Sequence, residues 1–156
     1  MNIPKVGQKI TNFSRPATGN KTISLSDLEG KNLVLYFYPK DNTPGCTTEG
    51  LDFASRMHDF ETANTVILGV SRDSIRKHEN FKKKQSFPFE LLSDEDESLC
   101  RQFDVIKLKK LYGKEYLGID RSTFLIDAQG ILIREWRSVK VKGHVEEVLA
   151  AAQELN

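Results

Sequence analysis

Two cysteines, Cys46 and Cys100, are the chain's candidate nucleophiles, and Cys46 stands where reactive chemistry is expected. It follows the turn-rich string DNTPG, at the point where an apolar run gives way to a helical pattern. Thr43 is a good N-cap and Pro44 a good first helical residue, which places Cys46 in the first turn. Unpaired backbone N–H groups and the helix dipole favour negative charge there, and the thiolate is the form of cysteine that attacks. Pro44 and Gly45 keep bulk away from the sulfur, so a small substrate can approach it. A buried, inert cysteine that happens to begin a helix is the competing reading. There is no CxxC pair, and three scattered histidines (His58, His78, His144) without a cysteine cluster argue against zinc. No cofactor is expected.

The elements that must position Cys46 alternate between strand and helix. The run LVLYFYP, ending at Pro39, reads as a buried strand. A helix is predicted from about Thr47 to Ala63, with Phe53, Ala54, Met57 and Phe60 on one face. TVILGVS (Thr65 to Ser71) is a second buried strand, and Ser74 to Gln85 a charged surface helix. FELLSD is a short strand and Glu95 to Phe103 a short helix. STFLIDA and ILIREWR form a hairpin across Gln129-Gly130, with Phe124 and Trp136 as core candidates. Gly143 to Leu155 is an amphipathic helix, and Thr18-Gly19-Asn20-Lys21 turns an N-terminal β-hairpin. Lys107 to Lys114 (KLKKLYGK) reads as a solvated, lysine-rich loop, with docking of an acidic reductase partner as the alternative.

This order implies an α/β fold of thioredoxin type: a mixed central β-sheet flanked by helices, the first two long strands parallel with a right-handed crossover. Reactive loops in such sheets sit at the carboxyl ends of strands, where Lys40 to Gly45 falls. The 156 residues fit one domain, taken as 1–156, with enough chain to bury a core unaided. A net charge of +1 gives no reason to expect nucleic acid or an anionic membrane as partner. No apolar run approaches the ~20 residues of a membrane span. MNIPKVGQKITNF lacks the apolar stretch of a secretory signal, so a cytoplasmic protein is expected.

Pro39-Lys-Asp-Asn-Thr43-Pro-Gly-Cys46 matches PxxxTxxC, the peroxiredoxin signature. The longer string YFYPKDNTPGCTTEG resembles the bacterioferritin-comigratory-protein branch, also called peroxiredoxin Q. VGQKITNF, LGVSRDS, FPFELLSDED and YGKEYLGIDRSTFLID resemble further segments of that branch in the same order. The resemblance implies the peroxiredoxin variant of the thioredoxin fold and a peroxidase that reduces hydroperoxides. It assigns Cys46 as the attacking sulfur, Thr43 as the hydroxyl between sulfur and peroxide, Arg121 as the guanidinium near the sulfur, and Pro39 as a shield against water. Thioredoxin or another thiol is the implied reductant, and a monomer or weak homodimer the implied state. Each role keeps a rival. Thr43 could be only a cap, Pro39 only a strand end, and Arg121 could pair with Asp120 or Glu115. Glu49 fits the branch's TxE but stays outside the assignment, either bonded to Arg121 or backbone or simply exposed.

The chain departs from the branch in its second cysteine. Many members carry one five residues after the first, where this chain has Leu51. Others place it around residues 81–84, here Phe81-Lys82-Lys83-Lys84. Cys100 remains, either packed on the sheet or reaching Cys46 by local unfolding. A one-cysteine cycle is therefore predicted, with an external thiol reducing the sulfenic acid. Two other functions stay open. A disulfide oxidoreductase would need the absent CxxC. A non-enzymatic redox sensor or holdase would leave peroxide untouched without Cys46 turnover.

Overall fold

The computed structural model describes residues 3–155. Its strands are β1 (Ser14–Ala17), β2 (Lys21–Ser24), β3 (Asn32–Phe37), β4 (Thr65–Ser71), β5 (Glu90–Ser93), β6 (Ile106–Leu111), β7 (Lys114–Ile119), β8 (Ser122–Ile126) and β9 (Leu132–Trp136). Its α-helices are α1 (Pro44–Ser55), α2 (Met57–Thr62), α3 (Ile75–Gln85), α4 (Ser98–Gln102) and α5 (His144–Gln153).

Every residue of β3 is buried, so both of its faces must pack. Leu33, Leu35 and Phe37 enter one apolar cluster with Phe124 of β8 and with Leu99 and Cys100 of α4. Val34 and Tyr36 point the other way, into a second cluster with Phe53 of α1, Phe60 of α2, Phe81 of α3 and Val148 of α5. The period-2 alternation of a strand thus makes two cores, one on each side of the sheet. The strand order is β2-β1-β5-β4-β3-β8-β9, with β3, β4 and β5 mutually parallel and the flanking pairs antiparallel. This is the mixed sheet with flanking helices and N-terminal hairpin that the sequence implies, and β1–β2 turn at Gly19 and Asn20 as expected. Among the described residues no helix is long and apolar enough to cross a membrane.

Three segments differ from the sequence reading. The helix expected from Thr47 to Ala63 begins at Pro44 and breaks at Arg56, whose φ of −109° is not helical. There Arg56 leaves the helical path and forks onto Glu146 of α5 (2.7 and 2.6 Å), aligning α2 with α5. Lys107 to Lys114 is not a loop but part of the β6–β7 hairpin, a separate two-stranded sheet turning at Tyr112 and Gly113. The β8–β9 connection runs from Asp127 to Ile131, wider than Gln129-Gly130 alone. The Asp127 carboxylate accepts from the N–H groups of Gln129 and Ile131, and Gly130 takes the left-handed φ of +84°.

Candidate active site

The chain leaves β3, passes through Tyr38 and Pro39, and enters α1 at Thr43. Pro39 is half-buried at this exit, beyond the strand's last residue, Phe37. The first bond of the α1 ladder runs from Thr47 N–H to the Thr43 carbonyl (2.9 Å). The N–H groups of Gly45 and Cys46 precede that ladder, so the sulfur sits at a positively polarised helix start. Thr43 is the N-cap by position, yet its hydroxyl does not cap. It turns back and donates to the Lys40 carbonyl (2.8 Å). The Thr43 oxygen keeps lone pairs for another donor.

Arg121 arrives from the opposite direction, just before β8. Ser122 pairs with Phe37 in the antiparallel register, which sets Arg121 beside the exit from β3. Its carbonyl also accepts from Val139 N–H (2.9 Å). The guanidinium divides its fork: Nη2 donates to Cys46 Sγ at 3.4 Å and Nη1 to Glu49 Oε1 at 2.6 Å. Neither Asp120 nor Glu115 holds it. Asp120 accepts from Ser138, and Glu115 pairs with Lys110. A β-carbon at Gly45 would lie 3.2 Å from Arg121 Nη2, so the glycine leaves the space the guanidinium fills. Cys46 is 2% exposed and packs within the second apolar cluster, so the sulfur is covered except for its polar contact.

Glu49, kept outside the sequence assignment with a bond to Arg121 as one of its readings, makes that bond. One helical turn after Cys46, it is fully buried, with Oε2 unpaired. Burial pushes its carboxyl up to about 7, against the opposing pull of Arg121. Burial also works against the charge of Arg121, but Glu49 and Cys46 outweigh it and raise its pKa. The i,i+3 spacing from Cys46 was the available signal, since it puts both side chains on one helix face. Only the tertiary position of Arg121 decides that this face is interior.

The remaining sequence candidates lie elsewhere. Cys100 is buried in the first cluster, and burial with the nearby Asp94 carboxylate pushes its thiol well above the ordinary range. Phe124 is core, as expected. Trp136 is only partly buried, under the Arg134 guanidinium (4.6 Å) and donating to Glu147 (3.3 Å). His144 accepts or donates one hydrogen bond with Thr123 (2.8 Å), and burial lowers its pKa to about 4. Asp41, Asp73 and His78 bring potential ligand atoms within 4.8 Å of one another. Their inward atoms already share hydrogen bonds with each other and with Tyr38, Ser71 and Leu92.

The AhpC/TSA family model matches residues 6–135. A peroxiredoxin Bcp of Bacillus subtilis is 52% identical over 152 residues, covering 97% of each chain. A peroxiredoxin Bcp of Xanthomonas campestris is 57% identical over 134 residues, covering 86% of this chain and 84% of the relative. Among solved structures, a cysteine-to-serine mutant of Xylella fastidiosa PrxQ superposes with TM-score 0.93 at 46% identity, covering 99% of this chain and 98% of its own. A structure of the Xanthomonas campestris bacterioferritin comigratory protein, described for its alkyl peroxide reduction activity, gives TM-score 0.87 at 53% identity, covering 91% and 90%.

Proposed function

The chain belongs to the AhpC/TSA family, and from that membership we propose a peroxidase mechanism in which Cys46 is the attacking sulfur and Arg121 and Thr43 direct the peroxide onto it. The protein is a peroxiredoxin, a thiol-dependent peroxidase. The observation that carries the residue assignment is the forked guanidinium joining Cys46 Sγ to the buried Glu49 carboxylate at a helix start.

The Cys46 thiolate attacks the terminal oxygen of a hydroperoxide. The S–O bond forms as the O–O bond breaks, and the leaving oxygen takes a proton to give water or an alcohol. Cys46 is left as sulfenic acid. Negative charge passes from sulfur to the leaving oxygen, so fixed donors at both ends lower the barrier. Arg121 Nη2 already donates to the sulfur, and a guanidinium edge can also serve the peroxide. The N–H of Cys46 adds a donor at the helix start, and the Thr43 oxygen accepts from the peroxide hydrogen. Pro39, half-buried at the exit of β3, restricts water beside the sulfur. An external thiol, such as thioredoxin, condenses with the sulfenic acid, releasing water and forming a mixed disulfide. A second thiol then regenerates Cys46. Hydrogen peroxide and organic hydroperoxides are both within this chemistry. The two free thiols favour a reducing, cytoplasmic setting, with the protein acting as a monomer or weak homodimer.

The deciding experiment follows peroxide consumption with dithiothreitol as reductant. Wild type and Cys100→Ser should turn over, and Cys46→Ser should not. Unchanged turnover in Cys46→Ser would remove Cys46 from the reaction.

A further inference from the structure

We propose that His78 is a positioning residue for this reaction: as a buried imidazolium it clamps Asp41, and through Asp41 the loop that delivers Thr43 and Cys46. The proposal rests on the reading of Cys46 as the attacking sulfur.

His78 is wholly buried on α3, outside the site described above. Both ring nitrogens face oxygen acceptors. Nδ1 lies 2.7 Å from Asp41 Oδ2, and Nε2 lies 2.9 Å from the Leu92 carbonyl. A carbonyl cannot donate, so Nε2 carries a hydrogen. Asp41 Oδ1 meanwhile receives the Tyr38 hydroxyl at 2.6 Å, and with Asp41 as a carboxylate Nδ1 must donate to Oδ2 too. Tyr38 Oη is also 3.4 Å from Nδ1. A ring that donates from both nitrogens carries a positive charge, matched here by Asp41. This arrangement also argues against a bound cation, which would have to displace the Nδ1 proton. Asp73 Oδ2 is similarly occupied, accepting from Asp41 N–H (2.9 Å) and the Ser71 hydroxyl (2.6 Å).

The cluster joins the carboxyl ends of all three parallel strands. Tyr38 follows β3, Asp73 follows β4, and Leu92 lies in β5. Asp41 is gripped twice, by side chain to His78 and by backbone to Asp73. It stands in the short loop that leads to Thr43 and Cys46. Next to it, Asn42 holds a left-handed φ of +61°, a conformation a released loop would leave. Beyond Asn42 the Thr43 hydroxyl meets the Lys40 carbonyl. The His78–Asp41 pair therefore fixes the turn from which Thr43 and Cys46 project, and reacting groups must be held within a fraction of an ångström to act together.

Imidazole-resolved nitrogen NMR of the reduced wild-type protein at about pH 7.5 reads the charge directly. Both His78 nitrogens should be protonated, and a neutral tautomer would overturn the proposal. This readout is independent of what Cys46 does. The functional arm uses His78→Gln and Asp41→Asn, comparing single-turnover oxidation of Cys46 by hydrogen peroxide with its alkylation by iodoacetamide. Misplaced donors should slow oxidation about tenfold or more while alkylation stays within about twofold. Parallel loss of both rates, or loss of neither, would mean that the pair is structural only. If neither variant folds, Tyr38→Phe, which removes one hydrogen bond to Asp41 and keeps the ring, goes through the same comparison of oxidation with alkylation, with the same outcomes for and against.

Discussion

Arg121 is asked to serve two partners from one rigid fork, 3.4 Å to the Cys46 sulfur and 2.6 Å to Glu49. A lysine ammonium keeps the charge but not the fork. Arg121→Lys should therefore slow stopped-flow oxidation of Cys46 by about 10²-fold, the loss typical of a misaligned charged donor. A rate within a factor of about two of wild type would show that charge alone suffices. Glu49 makes a different prediction. Its folded pKa of about 7 lies above the usual carboxylate value, so the folded state binds the proton more tightly than the unfolded one. Its contribution is present at low pH and is lost as pH rises through 7, a loss of order 3 kcal/mol across the window. Glu49→Gln should flatten the fall in urea-denaturation stability between about pH 4.5 and 7. An equally steep fall in the variant would place the titrating group elsewhere. Cys46 and Thr43 stood out in sequence through their local spacing at a strand-to-helix turn, whereas Arg121 and Pro39 entered only through the family resemblance. Glu49 was noted as a possible partner of Arg121 but kept outside the assignment, and His78 had no visible partner, because only packing decides whether an acid or histidine on a helix faces solvent.

At the scale of elements, α1 must bring Cys46 close to β3 while its own middle packs under the α3–β5 connection. Gly50 makes that approach possible. A β-carbon there would collide with Phe87, reaching Cε1 at 2.8 Å. Phe87 has little room to move, being stacked on Phe89 (5.1 Å) and edge-on to Phe81 (5.0 Å). Gly50→Ala should therefore destabilise by about 1–3 kcal/mol despite alanine's better helix propensity. Thermal denaturation checks this, and a raised Tm would mean that Phe87 yields freely. Most elements were legible because buried strands read as apolar runs and helices as amphipathic stripes. The β6–β7 hairpin was not. Leu108, Leu111, Tyr116 and Leu117 are all exposed, so its pattern shows no buried face and is dominated by lysines. The break at Arg56 was also hidden, and the Glu146 carboxylate its side chain meets there lies 90 residues away.

The whole molecule determines how the sulfenic acid can be resolved. Cys46 belongs to the core on one side of the sheet and Cys100 to the core on the other. A disulfide needs its α-carbons within about 7 Å, and here the strands of the central sheet stand between them. Cys100 is also held in place: Asp94 accepts from its N–H (2.7 Å) and from that of Leu99 (3.0 Å), fixing the start of α4. Its thiol, raised by burial and by Asp94, supplies little thiolate to attack a sulfenic acid. Forming a Cys46–Cys100 bond would require one core to open, a cost close to that of global unfolding. Reaction of the reduced native protein with one equivalent of hydrogen peroxide should therefore give Cys46 sulfenic acid, trapped by dimedone and seen by mass spectrometry. Added low-molecular-weight thiol should convert it to a mixed disulfide, and Cys100→Ser should give the same products at the same rate. An intramolecular Cys46–Cys100 linkage forming as fast as the sulfenic acid disappears, without denaturant, would show that the sheet does not keep the two thiols apart.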